Sequence, residues 1–210
     1  DEKERQETAR PSLIVCPASM VYNWENELEK FGPSLKVLLV TGNAAQRKEA
    51  AARAGEYDVV ITSYDLLRRD LELYRDLEFR YQVIDEAQYI KNAGTLNAKA
   101  VKAVRAVSRF ALTGTPIENH LGELWSIFDY LMPGFLFSYQ KFRKEYEIPV
   151  VKDQDRQALE RLHRLIGPFI LRRLKSQVLK ELPEKLETVV YSRAEGMQKE
   201  LYLANAALLK

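Results

Sequence analysis

The sequence has one cysteine, Cys16, and two histidines, His120 and His163, in 210 residues. A lone cysteine excludes an intramolecular disulfide and any cysteine-based metal cluster, a usage that suits a reducing compartment. The histidines stand apart, without the spacing of a metal-ligand set, so no zinc site is expected. No apolar run approaches the roughly 18 residues of a membrane helix. The N-terminal stretch Asp1 to Arg10 has no apolar signal core, and a cytosolic or nuclear protein is expected. There is no internal repeat and no low-complexity segment. Charge of one sign is also missing: 32 basic against 30 acidic residues leave +2, too even to imply a nucleic-acid or membrane partner by itself.

What is present is a foldable composition, 46% hydrophobic and 30% charged, which excludes whole-chain disorder. The basic charge is concentrated: residues 141 to 185 hold 12 basic and 7 acidic side chains, whereas residues 1 to 140 hold 17 and 20. Five short, apolar, β-branched runs read as strands: Leu13 to Cys16, Val37 to Val40, Val59 to Thr62, Tyr81 to Ile84 and Phe110 to Leu112. They are continuous, not alternating, as strands of a parallel sheet covered on both faces must be. Helical stretches lie between them: Val21 to Phe31 with Leu28 and Phe31 on one stripe, Ala44 to Ala54, Leu66 to Leu73 and Thr95 to Val107. The fold class is therefore α/β. Ser19 is placed to cap the first helix, Gly32-Pro33 to end it, and Gly42-Asn43 to start the second. From Leu121 the pattern is helical, broken at Pro133-Gly134, Pro149, Gly167-Pro168 and Pro183. The expected organisation is a tail over 1–10, a sheet-containing lobe over 11–135, a basic helical extension over 136–185, and a linker or start of another lobe over 186–210.

Three segments carry candidate chemistry. Tyr81-Gln-Val-Ile-Asp85-Glu86-Ala-Gln88 is an apolar strand that ends in adjacent carboxylates, facing the crevice where α/β sheets bind ligands. One carboxylate can hold magnesium through water while the next orients an attacking water. Alternatively, the acid pair simply starts a helix. Phe110-Ala-Leu-Thr113-Gly114-Thr115-Pro116 runs from a strand into hydroxyl residues that can bond a carboxylate network and a phosphate, or form a plain turn. Cys16-Pro17-Ala18-Ser19 and Thr62-Ser63-Tyr64 each follow a strand and present hydroxyls and backbone N–H groups that suit phosphates, or ordinary caps. Trp24 and Trp125 read as packing residues, and Tyr139, Phe142 and Tyr146 as core.

The order of these pieces, with Lys91-Asn92, Glu118-Asn119 and Leu124-Trp125, resembles the first motor lobe of superfamily-two helicases, specifically the Swi/Snf family of DNA-translocating ATPases. Phe169-Ile-Leu-Arg172-Arg173-Leu-Lys175 and Leu182-Pro183-Glu184-Lys185 look like that family's segment beyond the lobe. The resemblance implies a RecA-like lobe that uses ATP and magnesium. In it Asp85 would position the metal through water and Glu86 would activate the hydrolytic water. Gln88 stands where many relatives have His, which suits the bacterial and archaeal branch. Thr113, Gly114 and Thr115 would couple nucleotide state to the DNA face. Pro17, Ser19, Thr62, Ser63, Tyr64, Lys91, Asn92, Arg172 and Arg173 would contact double-stranded DNA. A second motor lobe of the same chain is the other implied partner, working beside the nucleoid or in the nucleus. Strand separation is not implied.

The phosphate loop Gly-x-x-x-x-Gly-Lys-Ser/Thr, which the resemblance demands, is missing from the sequence. The decoy Gly42-Asn-Ala-Ala-Gln-Arg47-Lys48 lacks the second Gly and the hydroxyl residue and reads as a helix start. The chain is therefore expected to be part of a larger protein, inactive alone. Its sheet is expected to expose unpaired backbone groups beside Phe110 to Leu112, which favours self-association. The rival reading is a non-catalytic DNA- or protein-binding module on a degenerate ATPase scaffold.

Overall fold

The structure, a computed structural model, describes residues 10–114, 120–173, 188, 190–193 and 195–208. Thr115, Pro116, Glu118, Asn119, Lys175 and Leu182 to Lys185 lie outside the described residues.

Strands β1 (Ser12–Cys16), β2 (Val37–Leu39), β3 (Val59–Ser63), β4 (Glu78–Ile84) and β5 (Arg105–Ala111) form one sheet in the order β2-β3-β1-β4-β5. Every pair is parallel. The alternation of β-strand side chains splits the apolar runs between two faces. Leu13, Val15 and Val60 enter one core with Tyr64, Leu67, Phe79 and Ile84. Ile14, Cys16, Val59 and Ile61 enter the other with Val21. Feeding two cores favours apolar side chains on both faces, which is why Leu13 to Cys16 of β1 and Val59 to Ile61 of β3 read as unbroken hydrophobic segments. Each such side chain contributes about 1.5–3 kcal/mol of transfer free energy.

The register sets the rim. Cys16 pairs with Ser63, Val15 with Ile84, and Ile84 with Ala111, so the C-terminal ends of β1, β3, β4 and β5 finish level with one another. Whatever follows each strand is delivered to one edge of the sheet.

Helix α1 (Val21–Phe31) follows β1, and the Gly32 N–H returns to Leu28 O to end it. Ser19 does not cap it: Ser19 sits inside a 3-10 turn, Ala18–Met20, and makes no cap hydrogen bond. The expected stripe is also shorter, because Phe31 is 74% exposed at the helix end. Helix α2 (Ala44–Ala52) starts with a complete capping box between Asn43 and Gln46. The decoy loop is closed by its own side chains: buried Arg47 donates to Gly42 O and pairs with Asp70. Gly42 has φ of 86°, the left-handed region that favours glycine.

Helix α3 (Tyr64–Arg69) follows β3, and α4 (Leu96–Ala103) precedes β5. Here the structure departs from the helix expected over Thr95 to Val107: the helix ends at Ala103, and β5 starts at Arg105, well before the expected strand Phe110 to Leu112. Val104 leaves α4 with φ −69° and ψ 134°, and Arg105 already pairs with Glu78. β-branched Val104 and Val107 favour the pleated ladder, and β4 supplies the partner that a local reading cannot see. Arg109 then braces the junction, donating to Tyr130 O, Lys102 O and Val104 O.

Helix α5 (Leu121–Leu131) turns one side to the sheet, with Ile127 and Tyr130 in the first core. It turns Leu121, Leu124 and Phe128 to a separate cluster with Leu136, Phe142, Leu162 and Ile166. Phe142, Leu162 and Ile166 come from α6 (Tyr139–Phe142) and α8 (Arg156–Ile166). Pro149 does not break this region: it lies at the start of α7 (Ile148–Val151), directly after a π turn, Arg143–Glu147. The first turn of a helix tolerates the missing N–H. Tyr139 is partly exposed and donates to Glu147, so of the three expected core aromatics only Phe142 is fully buried. The described residues divide into two compact units, one ending at Gly167 and the other beginning at Pro168, which includes α9 (Gly196–Leu208). Among the described residues no helix is long and apolar enough to cross a membrane.

Candidate functional site

Asp85 follows the last residue of β4, and its N–H bonds to Val15 O, extending the ladder by one residue into the rim. Glu86 then adopts φ 52° and ψ 56°, a left-handed conformation that costs a non-glycine residue about 1–2 kcal/mol. This conformation turns the chain sharply into the 3-10 segment Ala87–Ile90. Both acids are half-buried.

The carboxylates are wired. Asp85 Oδ1 accepts the Glu86 N–H at 2.8 Å, and Oδ2 accepts the Trp24 indole N–H at 2.9 Å. The Tyr64 hydroxyl donates to the Asp85 carbonyl at 2.7 Å. Glu86 Oε2 accepts from Gln88 Nε2 at 2.6 Å, and Gln88 Oε1 accepts from Thr113 Oγ1 at 3.0 Å. One continuous chain therefore runs from the end of β5 through an amide to the second acid. The first acid is gripped from the segments that follow β1 and β3.

Burial sets the protonation of the donors. It drives the Tyr64 phenol far above its ordinary value, with the neighbouring Tyr130 and Asp85 adding to the shift, so the hydroxyl stays a donor. The Cys16 thiol, fully buried beside these groups, is pushed up to about 12, first by burial and then by the charge of Asp85.

The candidate DNA-contacting residues fall into two groups. Ser19 and Asn92 are exposed, while Pro17 and Lys91 are half-buried, and Lys91 lies 3.7 Å from Glu123. Lys91 and Asn92 line a cavity of about 500 Å³ with His120, Glu123 and Trp125. Thr62, Ser63 and Tyr64 do not present their side chains outward, being at most 3% exposed. Thr62 Oγ1 donates to Val40 O, and Ser63 caps α3 by accepting the Leu66 N–H. Thr62 and Ser63 close β3, an interior strand of a sheet whose two faces are both packed against apolar cores, and Tyr64 opens α3 with its ring stacked on Tyr89 and its hydroxyl on the Asp85 carbonyl. Gly114 is exposed, with open space where a Cβ would stand. Arg172 and Arg173 are exposed in the second unit.

Trp24, expected as a packing residue, also reaches the acid pair. Its helical position beside Met20 and Leu28 does pack on the sheet, but the indole N–H reaches Asp85 across a separation of 61 residues. No local pattern encodes that contact. Trp125 behaves as a packing residue, tilted 52° against Tyr139 and donating to Phe137 O. Among the described residues no group of three or more His, Cys, Asp and Glu side chains could enclose a metal ion.

A parallel sheet flanked by helices, with an acid pair at one strand end linked to a hydroxyl at the next, is the architecture of a RecA-like lobe. The chain belongs to the SNF2-related domain family, whose model matches residues 1–210. It is 40% identical over 215 residues to the TATA-binding protein-associated factor MOT1 of Saccharomyces cerevisiae, covering 96% of this chain and 12% of the yeast protein. It is 41% identical to the putative ATP-dependent helicase/translocase YwqA of Bacillus subtilis, covering 96% of this chain and 22% of that protein. The SWI2/SNF2 ATPase core of Sulfolobus solfataricus in complex with dsDNA is similar over the whole of this chain and 43% of the archaeal one. Its identity is 42% and its TM-score 0.75. The chain thus spans less than half the length of these relatives.

Proposed function

We propose that this chain supplies the first ATPase lobe of a motor that moves along double-stranded DNA, hydrolysing ATP between this lobe and a second one. The observation that carries the reading is the acid pair at the end of β4, held from two neighbouring strand ends and connected through Gln88 to Thr113. Asp85 would hold magnesium through water, and Glu86 would take the proton of the attacking water. The donor chemistry fits: one or two carboxylates at an open rim, completed by water and substrate phosphates, is how magnesium prefers to be held. Bound magnesium would offset charge on the phosphates. Gln88, Thr113, Gly114 and Thr115 would pass nucleotide state to the DNA face.

Ser19, Lys91 and Asn92 form the duplex-facing surface of the lobe, with Pro17 shaping the turn and Thr62, Ser63 and Tyr64 positioning backbone from inside. Arg172 and Arg173 add backbone contacts from the basic segment. The solution of the similar archaeal core with dsDNA supports this choice of partner. The proposed organisation is a lobe over 11–135, a basic helical extension over 136–185 and an entry to the second lobe over 186–210. The place of work is wherever the DNA is, nucleoid or nucleus. The sequence contains no Gly-x-x-x-x-Gly-Lys-Ser/Thr, so the 210 residues alone bind ATP weakly and do not hydrolyse it.

The test is an ATPase assay of the full-length protein with and without duplex DNA, alongside Glu86→Gln. Duplex should stimulate hydrolysis, and Glu86→Gln should lower it by about 100-fold or more while ATP still binds. Alanine at Arg172 or Arg173 should each reduce the salt slope of duplex binding by about one unit. Duplex binding without any stimulation overturns the motor and leaves the non-catalytic module.

A further inference from the structure

We propose that Trp24 and Tyr64 are positioning residues that carry occupancy of the duplex-facing surface to the Asp85 carboxyl group. This inference rests on the DNA-motor reading and assigns its regulation.

The geometry has two arms. In the first, exposed Ser19 stands in the 3-10 turn Ala18–Met20, which runs without interruption into α1. Trp24 lies one turn into that helix and donates to Asp85 Oδ2. A phosphate that draws in the Ala18–Met20 backbone displaces the N-terminus of an 11-residue helix, and a helix moves as a rod over such a length. An N–H···O bond at 2.9 Å weakens within a few tenths of an ångström and a few tens of degrees, so Asp85 Oδ2 follows the indole or is released by it.

In the second arm, exposed Asn92 and half-buried Lys91 directly follow the segment Ala87–Ile90, where Tyr89 stacks on Tyr64 at 5.0 Å and 6°. The hydroxyl of that same Tyr64 holds the Asp85 carbonyl. Each surface is thus joined to Asp85 by one aromatic donor, Trp24 to the side chain and Tyr64 to the backbone. Both rings are anchored: Tyr64 is 2% exposed, and Trp24 packs on the cluster of Ile14, Cys16 and Val21. With Oδ1 held by the Glu86 N–H, the carboxylate has one preferred orientation, and a change at either ring re-aims it. Coupling of this kind needs a contiguous physical link with two arrangements, and a carboxylate held or released by an indole is such a link.

The test uses the ¹⁵N-labelled 210-residue chain, whose two tryptophans give two indole N–H resonances, with Trp24→Phe identifying the one that belongs to Trp24. A short blunt duplex is titrated in without nucleotide or magnesium. The amides of Ser19 and Asn92 should shift, and the Trp24 indole should shift with the same apparent Kd. In Asp85→Ala the indole should begin at a displaced frequency and lose at least half of its response. Asp85→Asn, which keeps a carbonyl acceptor, should restore most of it, and Tyr64→Phe should halve the response of the Glu86 amide. If the Ser19 and Asn92 amides move while the indole stays still, or if the indole responds equally in Asp85→Ala, the inference falls and the DNA reading survives. If those amides do not respond to duplex at all, the DNA reading falls and takes the inference with it.

Discussion

Gln88 donates its side-chain N–H to Glu86 at 2.6 Å while its carbonyl accepts the Thr113 hydroxyl at 3.0 Å, so a single amide joins the ends of β4 and β5. The polarity of both bonds fixes which way the amide points. Its N–H faces the acid, and its oxygen faces the Thr113 hydroxyl. Gln88→Ala removes both links, and a hydrogen bond to a charged group is worth about 1.5–3 kcal/mol. On the proposed motor reading, duplex-stimulated hydrolysis by the full-length protein should fall about tenfold or more. Gln88→Glu should fall further, because it sets a second carboxylate against Glu86. Equal rates for wild type and Gln88→Ala would remove the amide from the coupling path.

Glu86 occupies a left-handed backbone conformation that glycine adopts without penalty. Glu86→Gly should raise the stability of the chain by about 1 kcal/mol, read as a higher urea midpoint with unchanged slope, while on the proposed motor reading the full-length protein loses hydrolysis. Stability gained at the expense of activity is the signature of strain held at a working site. A lower midpoint would show that Glu86 stabilises the rim.

Cys16 is fully buried, and its thiol is raised from 9.0 to about 12. A folded pKa above the unfolded one means that between those values the native state keeps a proton the unfolded state has lost. This contribution is complete below about pH 9 and is lost as pH rises toward 12. Cys16→Ala should flatten the alkaline decline of stability relative to wild type, measured by denaturant unfolding across that window. At pH 8 the native thiol should resist a thiol reagent that labels the urea-unfolded chain at once. Rapid labelling of the native chain would refute the burial.

Strand β5 is last in the sheet, leaving one edge of its ladder unpaired among the described residues, and Val107, Phe110 and, just beyond the strand, Leu112 are 57%, 50% and 42% exposed. Unpaired ladder groups next to exposed apolar side chains invite another strand. The isolated chain should self-associate with rising concentration in light scattering. Phe110→Lys, at a residue whose ring meets Tyr81 edge-on at 5.9 Å, should return the scattering mass toward the monomer. Monomeric wild type at high concentration would show the edge to be protected.

Much of the scaffold is written locally. β1 and β3 are legible because burial on both faces gives them the apolar runs Leu13 to Cys16 and Val59 to Ile61. α2 is legible because Asn43 and Gln46 form a capping box within four residues. Only the end of β5, Phe110 and Ala111, is legible, because Arg105 to Ser108 carry no apolar run and become a strand only by pairing with β4.

The same division runs through the site. Asp85, Glu86, Gln88 and Thr113 could be named from the chain, since each lies at the end of an apolar segment and neighbours on the chain remain neighbours in space. The packing of both sheet faces decided that Thr62 and Ser63 at the end of β3 would be buried, and the stack on Tyr89 that Tyr64 would be. The level register of four parallel strands brought the indole of Trp24 to Asp85. Covalent order specifies which groups exist and how closely they follow a strand, but a hydrogen bond across 61 residues depends on where two strands finish, and only the assembled sheet sets that.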